Sequence, residues 1–311
     1  MVTVVSFGGG VNSTAMLLEL CDRKDRVDLI LFADTGGEKP ETYEFVSFFS
    51  NFLHSKGMPE IITVRDERRT LEEECLEAHT LPSIVVGARS CSDKYKIRPQ
   101  SRFLAQWEPA IRAWESGEKI TKLVGFDAGE AHRVKNFDDK RFNVRYPLVE
   151  WNWGRDECLE KINGAGIVPP PKSSCFFCPE MREHEVIALR KAHPVLFDRA
   201  IAMERGNTSI YAVEGLARKY SWAQIADYHD RQMRLPIVGG SLPCMCFDGE
   251  CTIDVTPKQL IKMLQRNRGR EPCKHAKLDP HTCPYLVDVL DDKRTKCRCC
   301  DKCQELCTAE L

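Results

Sequence analysis

Three consecutive glycines, Gly8-Gly9-Gly10, most constrain what this chain can fold into. They separate a β-branched run, Val2-Thr3-Val4-Val5, from an apolar run with helix-forming residues, Ala15 to Leu20, with Asn12 and Ser13 between. The order reads as strand, tight turn and helix start. Such a turn lets backbone N–H groups approach an anion closely, and the helix N-terminus favours negative charge. A phosphate, and so a nucleotide, is the natural ligand. The Gly-Lys-Ser/Thr ending of a Walker loop is absent, and so is the wider glycine spacing of the dinucleotide fingerprint. Glycine turns also serve structure alone, so the loop needs the other motifs beside it.

A chain of 311 residues can bury a full core, and the net charge of −1 selects no partner. No apolar run is long enough to span a bilayer, and the N-terminal strand runs straight into the glycine loop with no signal-peptide pattern; the expected compartment is the cytoplasm. There are 16 cysteines. In a cytoplasmic protein such clustering points to metal or sulfur chemistry rather than disulfides. Ten of them fall between Cys244 and Cys307, which sets a boundary near residue 240.

The pattern predicts strands over Val2–Ser6, Val27–Ala33, Ile61–Val64 and Ile120–Val124. It predicts helices from Ser13 to Cys21, capped by Asn12 or Ser13, and from about Pro40 to His54. Strands alternating with helices give an α/β fold with a doubly wound, mostly parallel sheet. Ligands bind beyond the carboxyl ends of such strands. Gly8 to Ser13, Asp34 to Gly37 and Gly125 to Arg133 all follow strands and would line one crevice. After Pro169-Pro170-Pro171 the spacing turns helical, over Glu185 to His193 and Pro194 to Glu204. The expected organisation is a nucleotide-binding domain over 1–180, a helical extension over 181–240 and a small Cys-rich module over 241–311.

Five segments in order carry a resemblance. Gly8-Gly9-Gly10-Val11-Asn12-Ser13 resembles the PP-loop of the N-type ATP pyrophosphatases, with Asn12 where the family usually has Asp. Asp34-Thr35-Gly36, with Pro40-Glu41-Thr42, resembles the Asp-Thr-Gly…Pro-Glu-Thr element of phosphoadenosine phosphosulfate reductases. Cys91-x₄-Lys96-x-x-Pro99, then Gly125…Glu130-x-x-Arg133, then Cys175-x-x-Cys178-Pro179 resemble further elements of that superfamily. The chain is thereby similar to its reductase-like branch, which includes phage-encoded members and DNA-phosphorothioation proteins. The resemblance implies an adenine nucleotide alpha-hydrolase-like fold. It implies ATP held through Ser6, Gly8, Gly9, Gly10, Asn12, Ser13 and Gly125, Mg²⁺ held mainly by ATP oxygens with Asp34 or Glu130, and catalytic roles for Asp34, Lys96, Glu130 and Arg133. Each of these four has an ordinary alternative, as a helix cap, a solvated cation or a loop ion pair.

Cys-x-x-Cys alone leaves zinc, iron–sulfur and dithiol chemistry open. Cys91, Cys158, Cys175 and Cys178 together would suit a [4Fe–4S] cluster or a tetrahedral zinc. In the tail, Cys244, Cys246, Cys251, Cys273, His275, Cys283, Cys297, Cys299, Cys300, Cys303 and Cys307 suffice for one or two metal sites, with zinc expected. Lys258, Lys262, Arg266, Arg268, Arg270, Lys274 and Lys277 lie among them nearly unopposed by acids. A metal-stapled basic module is a candidate binder of DNA or tRNA, and a solvated basic face is the plainer alternative.

The leading expectation is ATP-dependent adenylation of a substrate with pyrophosphate release, for sulfur transfer to nucleic acid with help from a sulfur-donor protein and with no membrane role. Sulfonucleotide reduction ranks second, because Glu250-Cys251-Thr252 departs from the reductases' C-terminal Glu-Cys-Gly. A non-catalytic nucleotide- or nucleic-acid-binding scaffold ranks third, with Asn12 as its support.

Overall fold

The structure is a computed structural model of the chain; it describes residues 1–88, 90–134, 139–209, 213–218, 220–234, 242–244 and 251–253. Five parallel strands form the sheet: β1 (Thr3–Phe7), β2 (Leu29–Asp34), β3 (Ile61–Arg65), β4 (Ile120–Val124) and β5 (Phe142–Arg145), in the order β3-β2-β1-β4-β5. The direction of winding reverses between β1 and β4. That is the switch point at which an open α/β sheet offers a crevice. β2 is buried at every position, as its unbroken apolar run requires of a strand covered on both faces.

Helices α1 (Val11–Asp22) and α2 (Pro40–Ser55), with the helix Arg155–Gly164, cover one face. Val11, Ala15, Leu18, Phe49, Leu53, Cys158 and Ile162 join one core there. Each fully buried leucine-sized side chain contributes about 1.5–3 kcal/mol. Lys161 fastens the Arg155–Gly164 helix to α1 through Glu19 and Asp22 at 2.5 and 2.6 Å. The other face is covered by Arg98–Leu104 and Glu108–Glu115, whose Leu104, Ala110 and Ala113 pack on Val4, Leu31 and Ile120.

Helix α3 (Leu71–Glu77) starts at a capping box: Thr70 Oγ1 accepts from the Glu73 backbone N–H, and a Glu73 carboxylate oxygen accepts from the Thr70 N–H. The Leu71 N–H then donates to the Thr35 carbonyl at 3.0 Å, docking this helix on the loop after β2. Residues Ser90 to Leu104 form one helical run with a π turn over Asp93–Ile97. Single π turns are common at functional sites.

The expected strands and main helices are present, and the fold class is the one expected. Two local details differ. The cap of α1 is Gly10, in extended backbone, with no side-chain cap. Ser13 Oγ instead accepts from the Gly8 N–H and donates to the Gly10 carbonyl, tying the loop together from inside the helix. β5 was not among the expected strands: its alternation, Phe142-Asn143-Val144-Arg145, covers only four residues, and pairing with β4 establishes it.

The chain divides into two compact units, Met1–Trp222 and Ala223–Leu311. The first includes the helices Glu183–Ala192 and Pro194–Gly206. The second contains an antiparallel ladder, Leu242–Cys244 with Cys251–Ile253, in which Cys244 stands opposite Cys251. The proposed ligands Cys246, Cys273, His275, Cys283, Cys297, Cys299, Cys300, Cys303 and Cys307 lie outside the described residues. Among the described residues, no helix is long and apolar enough to cross a membrane.

Gly125, at the exit of β4, lies against the first turn of α1: a Cβ there would sit 2.9 Å from Ser13 Cα and 3.0 Å from its nitrogen. Because both are backbone atoms, one element must move. Gly125→Ala should therefore cost about 1–3 kcal/mol, read as a lower urea midpoint at unchanged slope; an unchanged midpoint would show that the contact is slack.

Candidate functional site

The loop Gly8–Gly10 sits at the carboxyl end of β1, at the switch point. Gly9 has φ +71°, and a Cβ on it would approach Phe32 Cε2 at 3.2 Å and Thr42 Cγ2 at 3.5 Å. Only glycine follows that path without strain. The next layer is the segment Lys172 to Cys178: Ser173 Oγ lies 3.1 Å from where a Gly10 Cβ would be. Ser173 thus covers the loop on one side, and Cys175 reaches the loop after β2 on the other. The Phe176 N–H donates to the Gly37 carbonyl at 2.7 Å, Glu38 pairs with Cys175 in an isolated antiparallel bridge, and Thr35 Oγ1 lies 3.0 Å from Cys175 Sγ. Arg199 clamps this segment from the helical side, stacking over Phe176 and pairing with Glu72.

Asn12 faces two carboxylates. Its amide nitrogen donates to Asp127 Oδ2 at 2.9 Å and to Glu130 Oε2 at 3.2 Å. Asp127 also caps the turn Ala128–Arg133 through the Glu130 N–H. Glu130 pairs with Arg133, whose guanidinium lies 4.2 Å over the Phe126 ring. A neutral amide thus occupies a place where a third carboxylate would meet two others. Asp127 was not singled out in the sequence; its position between Gly125 and Glu130 was the available signal.

Asp34 is buried, and its Oδ1 accepts from the Gly36 N–H and the Tyr43 hydroxyl, both at 2.8 Å. Burial and then that bond to Asp34 push the Tyr43 phenol up, so Tyr43 stays a donor. Ser6 Oγ donates to Gln100 Oε1 at 2.9 Å.

Lys96 leaves the π turn beside Glu38, with 3.7 Å between Nζ and Oε1. Its partial burial works against charge, yet Glu38 and then the thiols of Cys175, Cys178 and Cys91 hold its pKa above the ordinary 10.5. The Glu38 side chain is 1% exposed. Burial raises its carboxyl above the ordinary 4.5, Lys96 opposes this and Asp34 reinforces it. Nothing local in the sequence marked Glu38, since its burial arises from the Cys175 segment folding across it.

Six buried side-chain oxygens and nitrogens among the described residues have no hydrogen-bond partner, and five belong to this region: Asn12 Oδ1, both Glu38 oxygens, Thr42 Oγ1 and Ser174 Oγ. Buried polar groups are normally satisfied, at a cost of about 1–3 kcal/mol each when they are not. Their concentration around one loop marks a site built for something polar.

The four-thiolate arrangement is not formed. Cys91, Cys175 and Cys178 all act on Lys96, and Cys91 acts on Cys178. Cys158 is instead 0% exposed inside the core between its own helix and α1, beside Asp127. The face of a helix that buries against apolar neighbours decides this, and Cys-to-Cys spacing does not report it. Among the described residues no group of three or more His, Cys, Asp or Glu side chains is disposed to hold a metal ion. These thiols therefore do not fit a closed four-cysteine cluster. A cleft of about 820 Å³ lies elsewhere, against the C-terminal turn of α1, lined by Glu19, Asp22 and Lys161, with Lys161 donating to both carboxylates.

Two outcomes follow from this geometry. Asn12→Asp should destabilise the protein in chelator by about 1–3 kcal/mol, since an amide donor is lost and two carboxylates gain a like charge. Mg²⁺ should restore the thermal midpoint of that variant while leaving the parent unmoved; equal responses would separate Asn12 from metal handling. Burial pushes Cys75, Cys158 and Cys175 up to about 12 from the ordinary 9.0. A raised folded-state pKa means that the native state keeps protons the unfolded chain loses. Their contribution is thus complete below pH 9 and lost between about 9 and 12. Urea midpoints should fall over that window, less steeply in Cys158→Ala.

Comparison with known proteins supplies the context. Residues 2–155 match the family model described as the phosphoadenosine phosphosulfate reductase domain. No curated protein matches the chain. Among solved structures, phosphoadenylyl-sulfate (PAPS) reductase from Candida auris in its phosphate complex is similar at 16% identity and TM-score 0.38, over 54% of this chain and 74% of that one. The U34-tRNA thiolase NcsA from Methanococcus maripaludis, with its [4Fe-4S] cluster, is similar at 15% identity and TM-score 0.38, over 65% of this chain and 71% of that one. The glycine loop, the Asp34 turn and the β4 exit all lie inside the matched segment, and residues 2–155 belong to the phosphoadenosine phosphosulfate reductase domain family of the PP-loop superfamily, whose enzymes use nucleotides in sulfur chemistry.

Proposed function

We propose that the protein adenylates its substrate with ATP, releasing pyrophosphate, for sulfur transfer to nucleic acid. The observation that carries this reading is the ring of unpartnered buried polar atoms around the glycine loop, with free space above Gly8. The loop N–H groups and the start of α1 would hold phosphate oxygens. Ser6, Gly9, Gly10, Ser13 and Gly125 would shape that cradle. Mg²⁺ would be held by ATP oxygens with Asp34 or Glu130, and Arg133 would neutralise charge on the phosphates. A substrate oxygen would attack the α-phosphorus, pyrophosphate would leave, and a sulfur nucleophile would then displace AMP. Positioning and charge neutralisation are the chain's own contribution.

Lys96 stands between Glu38 and three thiols, which suits a cation that steadies sulfur close to the nucleotide. No step is routed through a cluster, because the described thiols do not assemble one. Residues 241–311, in this reading, form a zinc-stapled basic module for DNA or tRNA, and a sulfur-donor protein supplies the nucleophile. A cytoplasmic location fits this chemistry. Sulfonucleotide reduction is the second reading, favoured by the family match itself. Thiol-dependent sulfite release from a phosphosulfate would replace the first reading with it.

At Gly8 a Cβ meets only Ser13 Oγ, at 3.8 Å, so a side chain fits the fold but occupies the space above the loop. Gly8→Val should lower ATP affinity by roughly tenfold or more, the equivalent of one lost hydrogen-bonded contact to a charged group, at unchanged thermal midpoint. Calorimetry with unaltered ATP affinity would assign the loop a structural role only, and a parent protein that binds ATP without releasing pyrophosphate would leave a binding scaffold.

A further inference from the structure

We propose that the outer edge of the sheet, along β5, is a track for a single-stranded polynucleotide leading to the glycine-loop site. The track rests on the proposed function only in naming that strand as the acceptor. β5 is the last strand of the order, and among the described residues nothing pairs with its outer side. It spans about 13 Å. Lys140 and Arg141 stand exposed at its start and Arg145 at its end, and His132 and Arg133 are exposed beside the exit of β4. Lys140 and Arg141 have no ion-pair partner among the described residues, whereas Arg145 pairs with Glu150 and Arg133 with Glu130.

Aromatic rings lie beneath these cations, Trp114 and Phe142 packed in part on the core and Tyr146 partly exposed at the end of β5. Phe126 stacks on Tyr146 with centroids 5.5 Å apart and planes 16° from parallel, under the Arg133 guanidinium. Trp114 meets Phe142 edge-on at 5.8 Å, with Arg141 5.0 Å over the indole. Cations for phosphates interleaved with flat rings for bases are the two requirements of single-strand binding. The same charges oppose the alternative occupant, a second copy pairing edge to edge, because cationic side chains blunt an exposed strand. Continuity decides the direction: Arg133 reaches Glu130, and Glu130 reaches Asn12 at the loop. The C-terminal basic residues are a separate feature of the chain.

The test is fluorescence anisotropy of the full chain with labelled oligo-uridine and oligo-deoxythymidine across a salt series. Lys140→Glu/Arg141→Glu should weaken binding roughly tenfold at low salt and flatten the salt slope by about 1.4, since two phosphate contacts on a single strand are lost. Tyr146→Ala should weaken binding about tenfold without changing the slope, because stacking is uncharged. Lys24→Glu/Lys56→Glu, an equal charge change at the ends of α1 and α2, should leave both unmoved. Preference for either sugar supports the track. Equal losses in the control pair, no loss in the β5 pair, or self-association by sedimentation that competes with the oligomer would overturn it. ATP binding and pyrophosphate release are read on the same samples, so failure of the adenylation reading is seen separately.

Discussion

Everything in the site depends on how closely the backbone of β4's exit approaches the first turn of α1. Gly125 touches Ser13 at backbone distance, and that contact leaves Gly8 to Gly10 at the mouth of the switch-point crevice. It also brings Asp127 and Glu130 against Asn12. A side chain at Gly125 would push the β4 exit away from α1 and separate the groups that line the crevice. The parallel order of the sheet makes the approach possible, because β1 and β4 are neighbours although more than a hundred residues separate them.

A second layer fixes the sulfur side. The segment from Ser173 to Cys178 spans from the glycine loop to Thr35 and Glu38, and Arg199 holds it from the helical extension through Phe176. The glycine loop and these thiols are thereby parts of one packed unit. The helices Glu183–Ala192 and Pro194–Gly206 consequently support the site, and the first compact unit extends through Trp222.

Charge is arranged in two compensated groups. On the β4 side a neutral amide separates two carboxylates, one of which is matched by Arg133. On the β2 side a buried carboxyl pairs with one half-exposed lysine, and the thiols of Cys175, Cys178 and Cys91 act on the same cation. Both groups carry polar atoms with no partner, and neither is a group a stable apolar core would retain. Stability is spent there, which is the expected signature of a working site.

The sequence by itself determined the class of fold and the position of the glycine loop, because glycine triplets and apolar runs act over a few residues. Val2–Ser6, Val27–Ala33, Ile61–Val64 and Ile120–Val124 were legible as strands for that reason, and Asp34, Lys96, Glu130 and Arg133 stood out only through the resemblance of their segments to family elements. Tertiary structure decided the rest. β5, exposed on most of its length, is a strand only because β4 pairs with it. Cys158 turned into the core and away from Cys175 and Cys178 because its helix packs on α1. Asp127 and Glu38 gained their roles from segments far away in the chain that close over them, 115 residues away for Asn12 and Asp127. Local propensity reports which residues turn or pair with neighbours, whereas burial and charge environment are set by whatever distant segment the fold brings alongside.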